Sequence, residues 1–176
     1  GTYFLKITNY STTVAANMNL SNVCINYAPS NNDCAGSAII TPSASCVAGT
    51  PLAGTLVGAS QSLVGAPCTA PSNTPIQDVW YNFTATNSTQ VITVVPSGTL
   101  NAVFQVYSTS CGGTSINCTD AGGIGGTETT TLTGLSVGST YWIRVYSASI
   151  GVPATPTFTI VVESPPSNDN CVNAIS

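Results

Sequence analysis

The chain has 176 residues, of which only 5% are charged, and with one lysine, one arginine and no histidine its net charge is −4. Such a chain has no basic patch to neutralise phosphates, which excludes nucleic acid as a partner. No apolar run approaches the roughly 20 residues that span a bilayer, which excludes membrane insertion. The length accommodates one ordinary domain and a remainder.

The seven cysteines do not form a metal-site pattern, because no histidine accompanies them and no CxxC pair is present. Disulfides are the better interpretation, and they place the protein outside the reducing cytosol. We therefore expect an extracellular protein, secreted or attached to the cell surface, with no metal and no cofactor.

The first 28 residues repeat a later part of the chain. The segment TYFLKITNY at 2–10 aligns with TYWIRVYSA at 140–148, which places Lys6 over Arg144. The segment APSNNDC at 28–34 likewise aligns with PPSNDNC at 165–171. This self-similarity predicts three units. They are the last two strands of a preceding repeat, or donated strands, in 1–28; one complete repeat in 29–166; and the start of a following repeat or a linker in 167–176.

Between these joints apolar and polar residues alternate with a period of two, which is typical of β-strands. The predicted strands are 78–86, 90–96, 102–108, 127–135, 141–147 and 157–163. Turn sequences such as SGTLN and SVGST separate them. Short strands at this spacing, without a helical period, predict an all-β fold: an antiparallel two-sheet β-sandwich of jelly-roll type, reinforced by disulfides.

The acidic residues offer little for catalysis. They lie singly in linkers and turns, and there is no histidine to activate a serine or cysteine. Asp78 and Glu128 can meet across a sheet, but an Asp that opens a strand is expected to shape a turn. Asp120 beside Glu128 supplies too few oxygens for calcium. The glycine-rich stretch 119–128 lacks the lysine and the following helix of a phosphate loop, so we predict a mobile hairpin loop and no enzyme activity.

Aromatic residues on two of the predicted strands form a candidate binding surface. If the apolar positions of 141–147 face the core, the intervening positions face outward, together with one tryptophan of 78–86. These candidates are Trp80, Trp142, Arg144 and Tyr146. Such a stripe can stack on the sugars of surface glycans or bury against a neighbouring domain. Coverage of the two tryptophans by the domain's own loops is the structural alternative, and the sequence leaves these possibilities open.

Five motifs in this order carry a resemblance to a known class. They are an NDxC-like opening of the domain, DVWYNF, VYSTSCGG…NC, GLSVGSTYWIRVY and the joint PPSNDNC. They resemble the tandem β-sandwich repeats of secreted Bacteroidota proteins, which are similar to the bacterial pre-peptidase C-terminal domain. The resemblance covers 29–166 and both tails. It implies a stalk, adhesive or binding role, in surface adhesins and filaments exported by the type IX route or in accessory domains of secreted hydrolases.

The same resemblance implies disulfides. Repeats of this class pair the NDxC cysteine with one in the last strand and have two further local pairs, which here would be Cys46 with Cys68 and Cys111 with Cys118. The last strand of this repeat has Val161 at the expected cysteine position. Cys34 is therefore either free or paired with Cys24 across the joint. Cys24 and Cys171 otherwise lack an obvious partner.

These features predict a non-catalytic structural subunit or repeat of an extracellular filament or cell-surface adhesin. Copies would assemble head to tail through strand pairing and stiff, proline-rich joints. The alternative is a carbohydrate-binding or accessory module of a secreted hydrolase. The expected partners are copies of the protein itself and surface glycans.

Overall fold

The computed structural model describes residues 27–43, 48–64, 68, 77–149 and 153–165. Within them the chain forms a short 3-10 turn at Cys34–Gly36 and strands that we number in chain order. These are β1 (Ala38–Ile39), β2 (Leu52–Thr55), β3 (Asp78–Thr84), β4 (Gln90–Pro96), β5 (Ala102–Ser108), β6 (Thr114–Thr119), β7 (Glu128–Leu132), β8 (Thr140–Ser147) and β9 (Thr157–Glu163). In this part of the chain there is no helix long and apolar enough to cross a membrane.

The strands form two sheets packed face to face. Sheet A has the order β1-β3-β8-β5-β6, and sheet B has the order β2-β9-β4-β7. All neighbours pair antiparallel except β1 and β3, which are parallel. The predicted all-β, two-sheet sandwich is therefore confirmed.

The hydrophobic core lies between the two sheets. Phe83 of β3 and Tyr141 of β8 stack with their ring centroids 5.6 Å apart. Tyr81 meets Phe158 of β9 edge-on at 6.1 Å, which joins sheet A to sheet B. Gly54 of β2 permits this contact, because a Cβ at that position would overlap the Tyr81 hydroxyl and the Phe158 ring. Burial of each such side chain stabilises the fold by roughly 1.5–3 kcal/mol.

The strands predicted from alternation all form, as β3, β4, β5, β7, β8 and β9. Three strands were not located from the sequence. The edge strands β1 and β2 are only two and four residues long, too short to show a pattern. The third, β6, has largely exposed residues that carry no apolar alternation.

The cysteine pairing that the resemblance implied is wrong. Cys34 is bonded to Cys111 with their Cα atoms 6.1 Å apart, and Cys68 is bonded to Cys118 at 5.8 Å. Cys111 and Cys118 cannot pair with each other because β6 is extended between them, at roughly 3.3 Å per residue. The remaining candidates, Cys24, Cys46 and Cys171, lie outside the described residues.

The predicted division of the chain is not tested by the structure. The described strands run from Ala38 to Glu163, inside the predicted repeat 29–166. Most of 1–28 and all of 167–176 lie outside the described residues. The flanking repeats therefore stay a prediction.

Candidate functional site

The candidate binding residues lie on the outer face of sheet A, as the alternation predicted. On β8, Tyr141, Ile143 and Val145 belong to the core between the sheets, and the intervening side chains point the other way. The expected exposure of the stripe is wrong for three of its four members. The buried ones are Trp80, with 1% of its surface exposed, and Arg144 and Tyr146, each with 0%.

Trp80 and Arg144 are covered by a segment between β2 and β3, which we call the 57–64 loop. The Trp80 indole nitrogen donates a hydrogen bond to Ser62 Oγ at 2.9 Å. On its other side the Trp80 ring packs against Tyr107 of β5, with centroids 5.6 Å apart. The alternative that the domain's own loop covers the face is therefore correct for Trp80.

Arg144 is the centre of the covered face. Its Nε and Nη2 atoms lie 2.8 Å and 2.6 Å from Asp78 Oδ2, an ion pair with both side chains fully buried. Its Nη1 donates to the backbone carbonyl of Val64 at 2.7 Å, and Nη2 donates to that of Leu63. The guanidinium carbon also lies 4.7 Å from the centroid of the Tyr146 ring. Arg144 therefore binds the loop to the sheet and is not available as a surface group.

Asp78 completes this arrangement from β3. Its Oδ1 accepts a hydrogen bond from Ser62 Oγ at 2.7 Å, and its Oδ2 accepts one from the Ser62 backbone N–H at 3.0 Å. A buried charge is tolerated where its lone pairs and its partner are both satisfied, as they are here. Asp78 therefore does not shape a turn, as the sequence suggested; it binds Ser62 of the loop and Arg144 of β8.

The disulfides and a close packing contact add to these ties. Cys68, a few residues after the 57–64 loop, is bonded to Cys118 of edge strand β6. Leu63 of the loop packs against Gly112 in the turn between β5 and β6, where a Cβ would lie 3.2 Å from Leu63 Cδ1. The loop is therefore fixed to both the centre and the edge of sheet A.

The first joint motif is also docked onto the sandwich. Asn31 and Trp80 of β3 form two hydrogen bonds. The Trp80 backbone N–H donates to the Asn31 backbone carbonyl at 2.8 Å, and the Asn31 side-chain nitrogen donates to the Trp80 carbonyl at 3.0 Å. The neighbouring Asn32 accepts a hydrogen bond from the Ser60 N–H at 2.6 Å through its side-chain oxygen. The two asparagines of PSNNDC thus fix the angle at which the chain enters the domain.

Tyr107 lies beside the ion pair at the far side of Trp80. Its hydroxyl donates to Gln105 Oε1, and Gln105 Nε2 donates to Ser115 Oγ of β6 at 2.8 Å. Burial raises the pKa of Tyr107, while the charge of Arg144 opposes that rise. Tyr107 therefore stays a neutral hydrogen-bond donor.

Trp142 is the one candidate of the four that keeps some exposure. It is the third residue of β8, opposite Asn82 of β3 and Tyr107 of β5, and it is only partly buried. A cleft of about 400 Å³ opens beside its ring at the end of sheet A. One tyrosine and several serine and threonine residues, from two turns and the adjoining strand ends, form the rest of the lining: Ser108, Thr109, Ser136, Ser139, Thr140 and Tyr141.

Two further grooves lie along one edge of the sandwich, where β1 is the outermost described strand of sheet A and β2 that of sheet B. One groove of about 810 Å³ runs past β2 toward Phe158, and a smaller one of about 380 Å³ lies between β1 and β2. Leu52 lines both. Ile39 beside it is 76% exposed and Leu52 is 38% exposed. This edge therefore presents apolar side chains next to strand edges with which no other described strand pairs.

The acidic residues are not assembled for catalysis within the described part of the chain. Asp78 and Glu128 lie on different sheets and bind different groups. The Glu128 carboxylate accepts hydrogen bonds from the backbone N–H groups of Ala121 and Gly122, each at 2.7 Å. These bonds tie the start of the glycine-rich loop, which we predicted to be mobile, to β7. Burial raises the pKa of Asp120. The described residues contain no cluster of three His, Cys, Asp or Glu side chains that could hold a metal ion.

These features define a disulfide-reinforced β-sandwich of the extracellular type. A family profile described as galactose binding domain-like and associated with the type IX secretion system matches residues 30–160. The chain therefore belongs to this family, which confirms the resemblance to the β-sandwich domains of secreted Bacteroidota proteins. Its fold, disulfides and family fit a secreted or cell-surface accessory module.

Two solved structures are similar at low identity. The pre-peptidase C-terminal domain of a collagenase from Bacillus anthracis aligns over 72% of this chain and 93% of its own, with 15% identity and a TM-score of 0.45. PliG of Aeromonas hydrophila, a periplasmic inhibitor of g-type lysozyme, aligns over 72% and 98%, with 18% identity and a TM-score of 0.34. No curated protein matches the chain.

Proposed function

We propose that this domain is a non-catalytic structural repeat of an extracellular filament or cell-surface adhesin, in which copies follow one another head to tail. The observation that carries the proposal is the set of cross-links over sheet A. Two disulfides and the Arg144–Asp78 ion pair bind the covering segment and the first turn to the strands beneath them. Such cross-links suit a domain that must stay folded while it transmits force.

The disulfides also limit how far a pulled domain can extend. Cys34 and Cys111 are 77 positions apart, so an intact bond removes this stretch from the extensible chain. At roughly 3.3–3.6 Å per residue, the protected length is on the order of 260 Å. The docked asparagines of the first joint support the same role, because in tandem copies they would limit the angles between successive domains.

The edge formed by β1 and β2 is suited to contact with another copy. Neither strand contains a charged residue, and charged side chains are a common device that prevents edge strands from pairing. The exposed Ile39 and Leu52 add apolar surface beside the strand edges that pair with no other described strand. An extended segment of a neighbouring copy can pair here by strand addition.

The proposal assigns no catalysis to the domain. The two buried carboxylates, of Asp78 and Glu128, are each occupied by hydrogen bonds to their own surroundings. An acid or base in a hydrolytic site must instead face a substrate.

The test is electron microscopy of cells that produce the protein, with a gold-labelled antibody raised against residues 29–166. We expect the label along surface filaments or stalks, and loss of these structures when the coding sequence is deleted. Label confined to unassembled secreted monomers, or filaments that persist after the deletion, would contradict the proposal.

A single-molecule pulling experiment on tandem copies tests the mechanical part. We expect each domain to unfold with a contour length about 260 Å longer under reducing than under oxidising conditions. A Cys34→Ser/Cys111→Ser variant is the matched control: it keeps the Cys68–Cys118 bond, which spans 50 positions, so its difference between reducing and oxidising conditions should fall to about 170 Å. Equal extension of the wild-type protein in both conditions is the contrary outcome.

The second candidate function is a carbohydrate-binding or accessory module of a secreted hydrolase. The description of its family, galactose binding domain-like, favours it. The four-residue aromatic platform first expected for such binding does not form, because three of its members are buried. A domain that stays monomeric and retains a secreted enzyme on its substrate would support this candidate over the first.

A further inference from the structure

The cleft beside Trp142 has an aromatic wall that the rest of the covered face lacks. The 57–64 loop covers Trp80 and Arg144, but Trp142 lies nearer the end of sheet A and is only partly buried. The cavity beside it measures about 400 Å³. This size lies within the range of small-molecule binding sites, roughly 300–1,000 Å³.

The two turns that form the cleft are held in place by the fold. In the turn after β5, Thr109 has a φ of 70°, a left-handed conformation that is strained for a residue with a branched side chain. Cys111, two residues later, is fixed by its bond to Cys34. In the turn before β8, the Ser136 N–H donates to the Tyr141 hydroxyl at 2.9 Å. The cleft is therefore preformed.

The lining of the cleft combines one indole ring with many hydroxyl groups and includes no charged side chain. A matching ligand needs an apolar C–H face to pack on the indole and several hydroxyls to exchange hydrogen bonds with Ser and Thr. We propose that this cleft binds a neutral carbohydrate, with one pyranose ring stacked on Trp142 and hydroxyls bonded to the turns that contain Ser108 and Ser139.

The described charges favour a neutral sugar over an acidic one. An anionic ligand would need a cation within reach, and Arg144 is the only basic residue in the part of the chain that the structure describes. Arg144 is already bound to Asp78 and to two backbone carbonyls, and it is fully buried. A carboxylate placed in this cleft would therefore be desolvated without a partner.

This site is separate from the edge proposed for assembly. Strand addition uses β1 and β2, whereas the cleft uses the turns next to β5 and β8. Sugar binding can therefore fail while assembly succeeds, and the reverse.

The chain contains two tryptophans, which makes ¹H–¹⁵N NMR of the indole groups a direct test. The monomeric full chain is titrated with neutral galacto-, gluco- and manno-oligosaccharides. We expect a saturable shift of the Trp142 indole signal with at least one of them. The Trp80 signal should stay in place, because its N–H is buried and bonded to Ser62.

Three variants complete the test. Trp142→Ala should weaken binding about tenfold or more, since truncation of an aromatic anchor removes much of the binding energy, and Trp142→Phe should weaken it less. Val137→Ala is the control, because Val137 is 65% exposed in the turn before β8 but does not line the cleft. An unchanged Trp80 signal shows that each variant is folded.

The proposal is overturned if no neutral oligosaccharide shifts the Trp142 signal. Unchanged affinity in Trp142→Ala overturns it as well, because binding would then lie elsewhere. Equal affinity for a galacturonate oligomer would contradict the selectivity for neutral sugars.

Discussion

The outer face of sheet B carries threonine and valine at alternate positions, while the outer face of sheet A carries tryptophan, tyrosine and arginine. On β4 and β9 the inward residues are buried and the outward ones are partly or fully exposed. On β5 and β8 nearly every residue is buried on both faces. The two sheets share one alternating pattern, yet within the described residues the 57–64 loop covers large side chains of sheet A, whereas the outside of sheet B is contacted by Gly49 beside Val161 and Glu163.

The difference shows that side-chain size on the outward positions indicates whether a face will be covered. Small β-branched residues such as Thr93 and Thr159 can face water at little cost. A tryptophan or tyrosine exposes a large apolar area unless something packs on it. The 57–64 loop supplies that cover, and Arg144 supplies the polar contacts that fix the loop.

The largest expected effect comes from removal of both disulfides that fix the cover, by serine substitution of Cys34, Cys68, Cys111 and Cys118. The loops they close span 77 and 50 residues, and each closure stabilises the fold by roughly 4 kcal/mol in the chain-entropy treatment. Urea unfolding measures the loss. Hydrogen exchange should rise first in sheet A, and equal exchange in both sheets would show that the cross-links do not act on the cover.

The next effect is expected from Arg144→Met. The substitution leaves the buried Asp78 carboxylate without its cation and should destabilise the fold by roughly 3–5 kcal/mol. The double variant Asp78→Asn/Arg144→Met is the control, and it should lose less than the two single variants together. A loss below about 1 kcal/mol in the single variant is the value typical of exposed ion pairs, and it would contradict the conclusion that Arg144 fixes the cover of sheet A.

A matched pair of Val→Thr substitutions compares the two outer faces directly. Val103 of β5 lies fully buried on the outer face of sheet A, beside Tyr146. Val103→Thr should lower the free energy of unfolding by about 1–3 kcal/mol, because it buries a hydroxyl where the native valine has no hydrogen-bond partner. Val91 of β4 is outward on sheet B and partly exposed, so Val91→Thr should change stability by less than about 0.5 kcal/mol. Equal thermal shifts for both would contradict the difference between the faces.

The smallest effect concerns Glu128 at the start of β7 and depends on pH. Burial raises the pKa of Glu128, and the hydrogen bonds from Ala121 and Gly122 oppose the rise. Because the folded-state pKa is above the unfolded one, the contribution to stability is present at low pH and is lost as the pH rises through the folded value. The stability of the wild type minus that of Glu128→Gln should therefore fall from acidic to neutral pH. A rise in this stability difference from acidic to neutral pH would contradict the prediction.

Much of the fold was predictable because strand alternation is local. Six strands and the inward residues of β3 and β8 follow from the period of two. The short β1 and β2 and the polar β6 could not be found in this way, since an edge strand with few buried residues has no alternation to show.

Less of the site was predictable. The outward direction of Trp80, Arg144 and Tyr146 is correct, but their exposure depends on the 57–64 loop. One sequence signal was available: a lone arginine between two large aromatic residues, in a chain with so few charges, indicates a buried cation more than a surface one. Its partner Asp78 lies 66 positions away and carries no local mark.

The sequence by itself determined six of the strands and the side of each of them that faces the core. These properties follow from the neighbours of each residue along the chain. Only the tertiary structure decided which outer face is covered, which cysteines pair and where an aromatic ring stays accessible. Those outcomes depend on contacts between segments 50 or more residues apart, such as Cys68 with Cys118 and Arg144 with Asp78, which no local pattern encodes.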